Sequence, residues 1–392
     1  MHRLHQTSID AFENVPHTLS TDVPNRQRLS RIAPHALDSA ASCPRRHWLS
    51  TRTGLSTEAI RLDMATDHLT DTAASKVGLP PANVIGSIVH RLMEVGLANP
   101  GPSSELTAPL SEQWTQTSTD LLTDESTLAQ VISELLPADA DADAMTSLMI
   151  QMSELLRKGP LGTLTRGEAW NDETVEGLRT EWPFSIRHTI PVNTNDQTWS
   201  PHGPQSLAEI NSFEISSSGI ADLVLCTRLD SGEGAIRAVD LKTTGAAHLH
   251  AGWAHPLLEA DGESRHREES ALLDKYRMQL ALYTRVLILQ EESRKAVGIE
   301  HRRVLPPAIL ATSTGRLITM TEEEMATALD DLDNLFNEIA ELALRPDDAD
   351  LPPRLSGEAA EACHHCPFSM GDIRLCAPEG EPLGLRPIEE SE

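Results

Sequence analysis

The sequence predicts an α/β protein, with strand pairs set among amphipathic helices and a helical elaboration ahead of them. Three observations carry that prediction. Two short apolar runs, Gly219 to Leu225 and Ala238 to Lys242, flank the turn signal Asp230-Ser231-Gly232-Glu233-Gly234 and read as paired strands. Stretches of 3.6-residue apolar periodicity stand on either side of that pair, Val84 to Leu97 and Ser270 to Gln290 among them. A second hairpin, Pro307 to Thr312 with Arg316 to Met320 around Thr314-Gly315, precedes a further helix.

In chain order, residues 1–32 are polar and irregular and are expected to form a flexible N-terminal segment. One helix is expected from Ala33 to Trp48, with Pro34 in its first turn and Cys43-Pro44-Arg45-Arg46 near its end. The helix from Val84 carries Ile85, Ile88, Val89, Leu92, Met93 and Val95 on its apolar stripe, and its Gly86 and His90 share a face. Residues 99–160 are expected to be a helical elaboration outside the core, ending in the helix Ala144 to Lys158 and its stop at Gly159-Pro160. Leu178 to Ile190 alternates like a strand and carries Glu181, and 191–218 is a polar insertion where a tight hairpin would be usual. His248 to Glu269 reads as a loop. Thr321-Glu322-Glu323-Glu324 is a capping box that opens a helix to about Leu344. A cysteine cluster at 363–376 follows, and 379–392 is expected to be a disordered acidic tail. No internal repeat is found.

A chain of 392 residues buries a large core in one or two domains. Its net charge of −27 excludes a generally basic nucleic-acid binder but leaves room for a local basic channel. Lysine is scarce, at positions 76, 158, 242, 275 and 295 only, which gives Lys242 a little more weight. No window approaches 18 uninterrupted apolar residues, so no membrane span is expected. The start, Met1-His2-Arg3-Leu4-His5-Gln6, lacks the apolar core of a signal peptide, and a cytoplasmic location is expected. No lysine follows a glycine, which rules out a Walker A loop, and no Gly-x-Ser-x-Gly elbow occurs.

Two constellations can carry chemistry. Asp222 lies in the first strand of the central pair, and Asp240 and Lys242 close the second, two apart and therefore on one side. Charges that close an apolar strand are costly unless the site uses them, although alone they read as a strand-end ion pair. Two aspartates on adjacent strands can hold magnesium or manganese, and a lysine beside them can orient a water or offset charge on a phosphate. His90, Gln279 and Tyr283 sit on helices, where each residue type is ordinarily structural. The second constellation is Cys363-His364-His365-Cys366 with Cys376, three thiols in fourteen residues. A closed site needs a fourth ligand: Cys43 is the best candidate, with His364, His365 and His47 as others. Spacing alone favours zinc, though thiolates also hold iron–sulfur clusters. Cys226, inside a strand, reads as a small buried apolar residue.

Taken together, these stretches resemble the RecB-type nuclease domain of the PD-(D/E)xK superfamily. The resemblance is to its iron–sulfur branch, found at the C-terminus of AddB-type helicase–nuclease subunits and in CRISPR adaptation exonucleases. The matching residues are Cys43-Pro44-Arg45-Arg46, Gly86 to Glu94 around His90, Glu181-Trp182-Pro183-Phe184, Gly219-Ile220-Ala221-Asp222, Val239 to Gly245, Gln279 to Tyr283, and the three C-terminal cysteines. The resemblance spans about residues 34 to 378 and implies an α/β restriction-endonuclease-like core, a mixed central sheet flanked by helices, with a helical elaboration and a cysteine-cluster staple. It implies that His90, Asp222, Asp240 and the Leu241 carbonyl bind Mg2+ or Mn2+, that Lys242 is catalytic, and that Gln279 and Tyr283 shape the site. It implies further that Cys43, Cys363, Cys366 and Cys376 hold a 4Fe–4S cluster, with structural Zn2+ as the alternative. The activity implied is hydrolysis of DNA phosphodiesters, as an exonuclease on single-stranded ends in repair or recombination. A helicase supplied by another chain would be its partner. Arg45, Arg46, Arg91 and Arg277 are expected along the phosphate path. The alternatives are an exonuclease of CRISPR adaptation and a catalytically silent module that binds DNA ends.

Overall fold

A computed structural model describes residues 28–53, 79–80, 82–97, 125–165, 168–191, 212–243 and 262–344. It also describes 352, 355–357, 359, 363, 366–370, 373–374, 376 and 384–385. Seven strands build the central sheet: β1 (Arg28–Arg31), β2 (Glu173–Pro191), β3 (Ser212–Leu229), β4 (Gly234–Lys242), β5 (Arg303–Val304), β6 (Ala308–Ala311) and β7 (Arg316–Thr319). The long β2 pairs antiparallel with β3 along its whole length. The other edge of β3 is shared, by β1 in parallel at Phe213 to Ser216 and by β4 antiparallel from Leu223 to Arg228. β4 in turn pairs in parallel with β5 and β6, and β6 folds back on β7. The sheet is therefore mixed, and the parallel β4–β6 step requires a crossover, which is helical.

Helices cover both faces. One layer holds α3 (Ala82–Leu97), α4 (Glu125–Leu135), α5 (Ala142–Lys158) and α6 (Pro160–Thr165). Its core joins Ile88, Leu128 and Met145 to Leu223, Leu225 and Val239 of the sheet. The opposite layer holds α1 (Pro34–Ser42), α8 (Arg277–Ala296) and α9 (Glu322–Leu344), packing Leu37, Leu282 and Phe336 against Phe213, Val224 and Ala238. The crossover runs through α7 (Gly262–Lys275) and α8, with Tyr276 breaking the pair. α2 (Pro44–Thr53) and the four-residue α10 (Pro367–Met370) bracket the cysteines, and β8 (Ile373–Arg374) pairs with β9 (Gly384–Leu385).

Close approaches lock these layers. A Cβ on Gly219 would stand 2.7 Å from Pro34 Cγ, so only glycine lets α1 sit down on β3. Gly315, at φ +69, turns the β6–β7 hairpin, and a Cβ there would meet the Leu155 carbonyl oxygen at 2.3 Å. The hairpin tip is thereby pressed against the end of α5. The capping box is formed: Thr321 N–H donates to Glu324 Oε2 at 2.7 Å and Glu324 N–H to Thr321 Oγ1 at 3.1 Å.

Several expectations are corrected. The expected single helix of 33–48 is two, because Cys43 is extended (φ −154, ψ 95) and Pro44, which has no N–H to donate, starts a new one. Residues 28–31, assigned to the lead-in, are β1; Ser212 to Ser218, assigned to the insertion, are the first half of β3. α4 and α5 are part of the core itself, since their apolar faces complete one side of the sheet. Gly384 and Leu385, assigned to the tail, pair with β8. The end of the 248–269 segment, read as a loop, begins α7 at Gly262. The rest of the insertion, 192–211, and residues 99–124 lie outside the described residues.

Candidate active site and cysteine cavity

The site forms where the sheet ladder opens. Pairing of Thr180 with Leu223 and of Trp182 with Ala221 puts Glu181 opposite Asp222. Pairing of Leu223 with Val239 puts Asp222 opposite Asp240 one step further on. Three acids thus stand in a row across β2, β3 and β4. Glu181 has φ +48, a left-handed conformation that non-glycine residues adopt at a cost. The strand changes face there. Leu178 packs with the α3–α5 layer, while Phe184 and Ile186, an even number of positions on, pack with the α1–α8–α9 layer. Strict alternation would have kept all three on one side.

α3 brings His90 over this row. Its Nδ1 lies 3.5 Å from Asp222 Oδ1 and 3.9 Å from Glu181 Oε1, and its ring reaches the backbone of Leu241. One ligand atom each from His90, Glu181 and Asp222 falls within a 4.8 Å cluster. Asp222 Oδ2 accepts the Leu241 N–H at 2.7 Å, which fixes the end of β4. Asp240 is fully buried; its Oδ1 accepts from Gln279 Nε2 at 3.0 Å and its Oδ2 faces Lys242 Nζ at 2.5 Å. Gln279 Nε2 also donates to the Tyr283 hydroxyl at 2.6 Å, and that hydroxyl donates to the Ile220 carbonyl at 3.3 Å. The Lys242 ammonium lies 4.2 Å from the centre of the Tyr276 ring.

The electrostatics follow from the crowding. Burial raises the pKa of all three acids, and for Asp240 burial, opposed by Lys242 and reinforced by Asp222, pushes it up to about 7. Burial works against charge on Lys242 as well, but Asp240 and Asp222 outweigh it and hold the ammonium above the ordinary lysine pKa. Burial lowers the pKa of His90 against the pull of Glu181, which leaves a neutral imidazole with a lone pair to give. A partly buried row of acids that favours protonation will also take a cation in the proton's place. Carboxylates, an imidazole and a carbonyl are the donor set of a hard or borderline divalent ion. The residues present fit Mg2+ or Mn2+.

The second constellation also assembles. Cys43, Cys363, Cys366 and Cys376 line one cavity of about 40 Å³, together with Arg45, Arg46, Leu49 and Phe368. Cys43 comes from the end of α1, Cys366 N–H donates to the Cys363 carbonyl, and Cys376 N–H donates to the Phe368 carbonyl. No disulfide joins any of the five cysteines. Four thiols around one apolar hollow fit a thiolate-bound metal centre. Cys226 is completely buried in β3, as expected of a small apolar residue.

A family model described as the PD-(D/E)XK nuclease superfamily matches residues 31–370. The chain belongs to that superfamily. A comparison with curated proteins found no match. Nucleases of this superfamily use divalent metals such as Mg2+, consistent with the His90–Glu181–Asp222 group. No described helix is long and apolar enough to cross a membrane.

The structure thus brings together His90, Asp222, Asp240, Leu241, Lys242, Gln279 and Tyr283, as the sequence expected. Sequence reasoning gave no role to Glu181 or Tyr276. Strand register could not be counted from Asp222 back to Glu181, because residues 192–211 separate β2 from β3. The composition held a signal for Tyr276, because both tyrosines of the chain flank this one site. The expected phosphate path is not borne out at Arg45, which is 7% exposed and donates to the Pro352 carbonyl at 3.1 Å. Arg91 and Arg277 are engaged with Glu94 and Asp331.

Proposed function

We propose that this nuclease-superfamily protein is a metal-dependent exonuclease acting on single-stranded DNA ends, in repair or recombination, beside a helicase supplied by another chain. The observation that carries the catalytic part is the row Glu181–Asp222–Asp240 beneath His90, with Lys242 held at its end by Asp240 and Tyr276. His90, Glu181, Asp222, Asp240 and the Leu241 carbonyl would hold the ion. A bound Mg2+ or Mn2+ supplies a polarised phosphoryl oxygen and a water of lowered pKa. Asp240, held by Gln279, keeps Lys242 charged. That ammonium then stands where it can hold the attacking water or offset charge gathering on the phosphate. Tyr283, its pKa raised by burial, stays protonated and anchors Gln279 to the β3 backbone.

The cysteine cavity would hold a 4Fe–4S cluster. The four thiols that line one apolar hollow support this reading, with a structural Zn2+ as the alternative. Such a centre ties α1 to a segment some 320 residues later, as a staple on the fold.

The test is incubation of purified protein with labelled single-stranded DNA and Mn2+. Progressive shortening that disappears in Asp240→Ala and Lys242→Ala, with folding intact, is the expected result. Shortening that persists in both variants removes the assignment, and a mobility shift without shortening identifies a module that only binds.

A further inference from the structure

α8 starts without a cap of its own. Its N-cap residue Tyr276 makes no side-chain capping bond, and its first turn contains no acidic residue. The first amides of a helix need acceptors and carry partial positive charge. Here the acceptor comes from α1, 240 positions away: Met278 N–H donates to Asp38 Oδ1 at 2.8 Å, and the Gln279 amide bonds to the same side chain. The residue whose backbone is gripped, Gln279, is the one whose side chain holds Asp240 and Tyr283. Five residues after Asp38, α1 ends at Cys43, whose N–H donates to the Ser39 carbonyl and whose thiol lines the cysteine cavity.

We propose that Asp38 is a positioning residue of the catalytic centre: from α1 it caps the helix that presents Gln279 to Asp240, and it thereby joins the cysteine cavity to the carboxylate row. Two contacts and one helix make the connection: α1 carries Cys43 and Asp38, Asp38 accepts from the first turn of α8, and Gln279 donates to Asp240. Burial lifts the Asp38 carboxyl to about 6 despite the two amides donating to it, so the fold keeps this acid at a cost. A neutral apolar residue would pack at that point more cheaply, but could not accept the two amides. Filling the cysteine cavity fixes the end of α1, and with it the carboxylate that starts α8. The catalytic consequence rests on the nuclease reading; the capping does not.

The experiment follows amide hydrogen exchange across residues 277–283 in the full chain, alongside DNA cleavage. In the wild-type protein the Met278 and Gln279 amides are expected to exchange slowly, unlike ordinary first-turn amides. Asp38→Ala should speed their exchange about tenfold, the size of one lost cap, and lower kcat with little change in KM. Asp38→Asn retains the accepting oxygen and should restore both. Cys43→Ser should speed exchange at the same two amides. Rapid exchange of both amides in the wild-type protein overturns the proposal whatever the variants do. So does an Asp38→Asn variant that behaves like Asp38→Ala. Slow exchange with the predicted variant pattern, in a protein that does not cut DNA, would uphold the cap and remove the nuclease reading instead.

Discussion

Replacing Glu181 separates what the backbone contributes at that position from what the carboxylate contributes. At φ +48 the residue sits in the left-handed region, which costs a non-glycine residue about 1–2 kcal/mol. Glycine removes that cost and gives back about 0.5–1 kcal/mol of chain entropy. Glutamine keeps the side-chain size and the strain and removes only the charge. Glu181→Gly should therefore be more stable than Glu181→Gln by roughly 0.5–1 kcal/mol in EDTA, an unusual gain for glycine inside a strand. The Gly variant loses an oxygen ligand 3.9 Å from His90 and the Gln variant loses that ligand's charge, so both should bind Mn2+ at least about tenfold more weakly, since even groups that only orient a ligand are worth that much. Urea unfolding of the two variants and calorimetric Mn2+ titration read the two effects separately. A Gly variant no more stable than the Gln variant refutes the strain. Unchanged Mn2+ affinity refutes the placement of Glu181 at the ion.

Other outcomes follow from the same geometry. Burial lifts Asp240 to about 7 and Asp38 to about 6, both from an ordinary 3.8, so the fold binds their protons more tightly than the unfolded chain does. In EDTA, the stability this contributes should be complete below about pH 3.8 and lost as pH rises through 6 and 7, a fall on the order of several kcal/mol by urea unfolding. Mn2+ should shrink that fall, because a cation then replaces the proton on Asp240; an identical fall with and without Mn2+ contradicts the site. Tyr276→Phe keeps the ring under Lys242 and should retain activity, whereas Tyr276→Ala should lower kcat about tenfold; equal rates in the two would remove the ring from the site. The proposed cluster predicts a brown, iron-containing wild-type protein, and a Cys43→Ser variant that lacks both. Colourless, zinc-containing wild-type protein would replace the cluster with a zinc site.

The sequence reveals residues whose partners lie nearby along a regular element. Asp222, Asp240 and Lys242 were legible because a short turn pairs β3 with β4, and pairing alone sets the two aspartates opposite each other. His90 was legible as one face of a periodic helix, and the thiols as a cluster with unusual spacing. Glu181 escaped because its role depends on a face change in β2, which alternation rules cannot anticipate. Tyr276 was read as the middle of one long helix, and only the break between α7 and α8 turns its ring toward Lys242. Asp38 carried no signal in the sequence, because its partner lies 240 residues away and is a backbone amide. The same limit hid β1, Arg28-Leu29-Ser30-Arg31, whose partner strand β3 lies more than 180 residues away. Arg45 shows the converse, a charge that its location in the sequence placed on a phosphate path and packing assigns to the Pro352 carbonyl.

Anomalous diffraction from crystals soaked in Mn2+ locates the ion directly. A peak bounded by His90, Glu181, Asp222 and Asp240, lost in Asp222→Asn crystals, is the predicted result. A protein that takes up Mn2+ only elsewhere, leaving those four side chains in contact with one another alone, would contradict it.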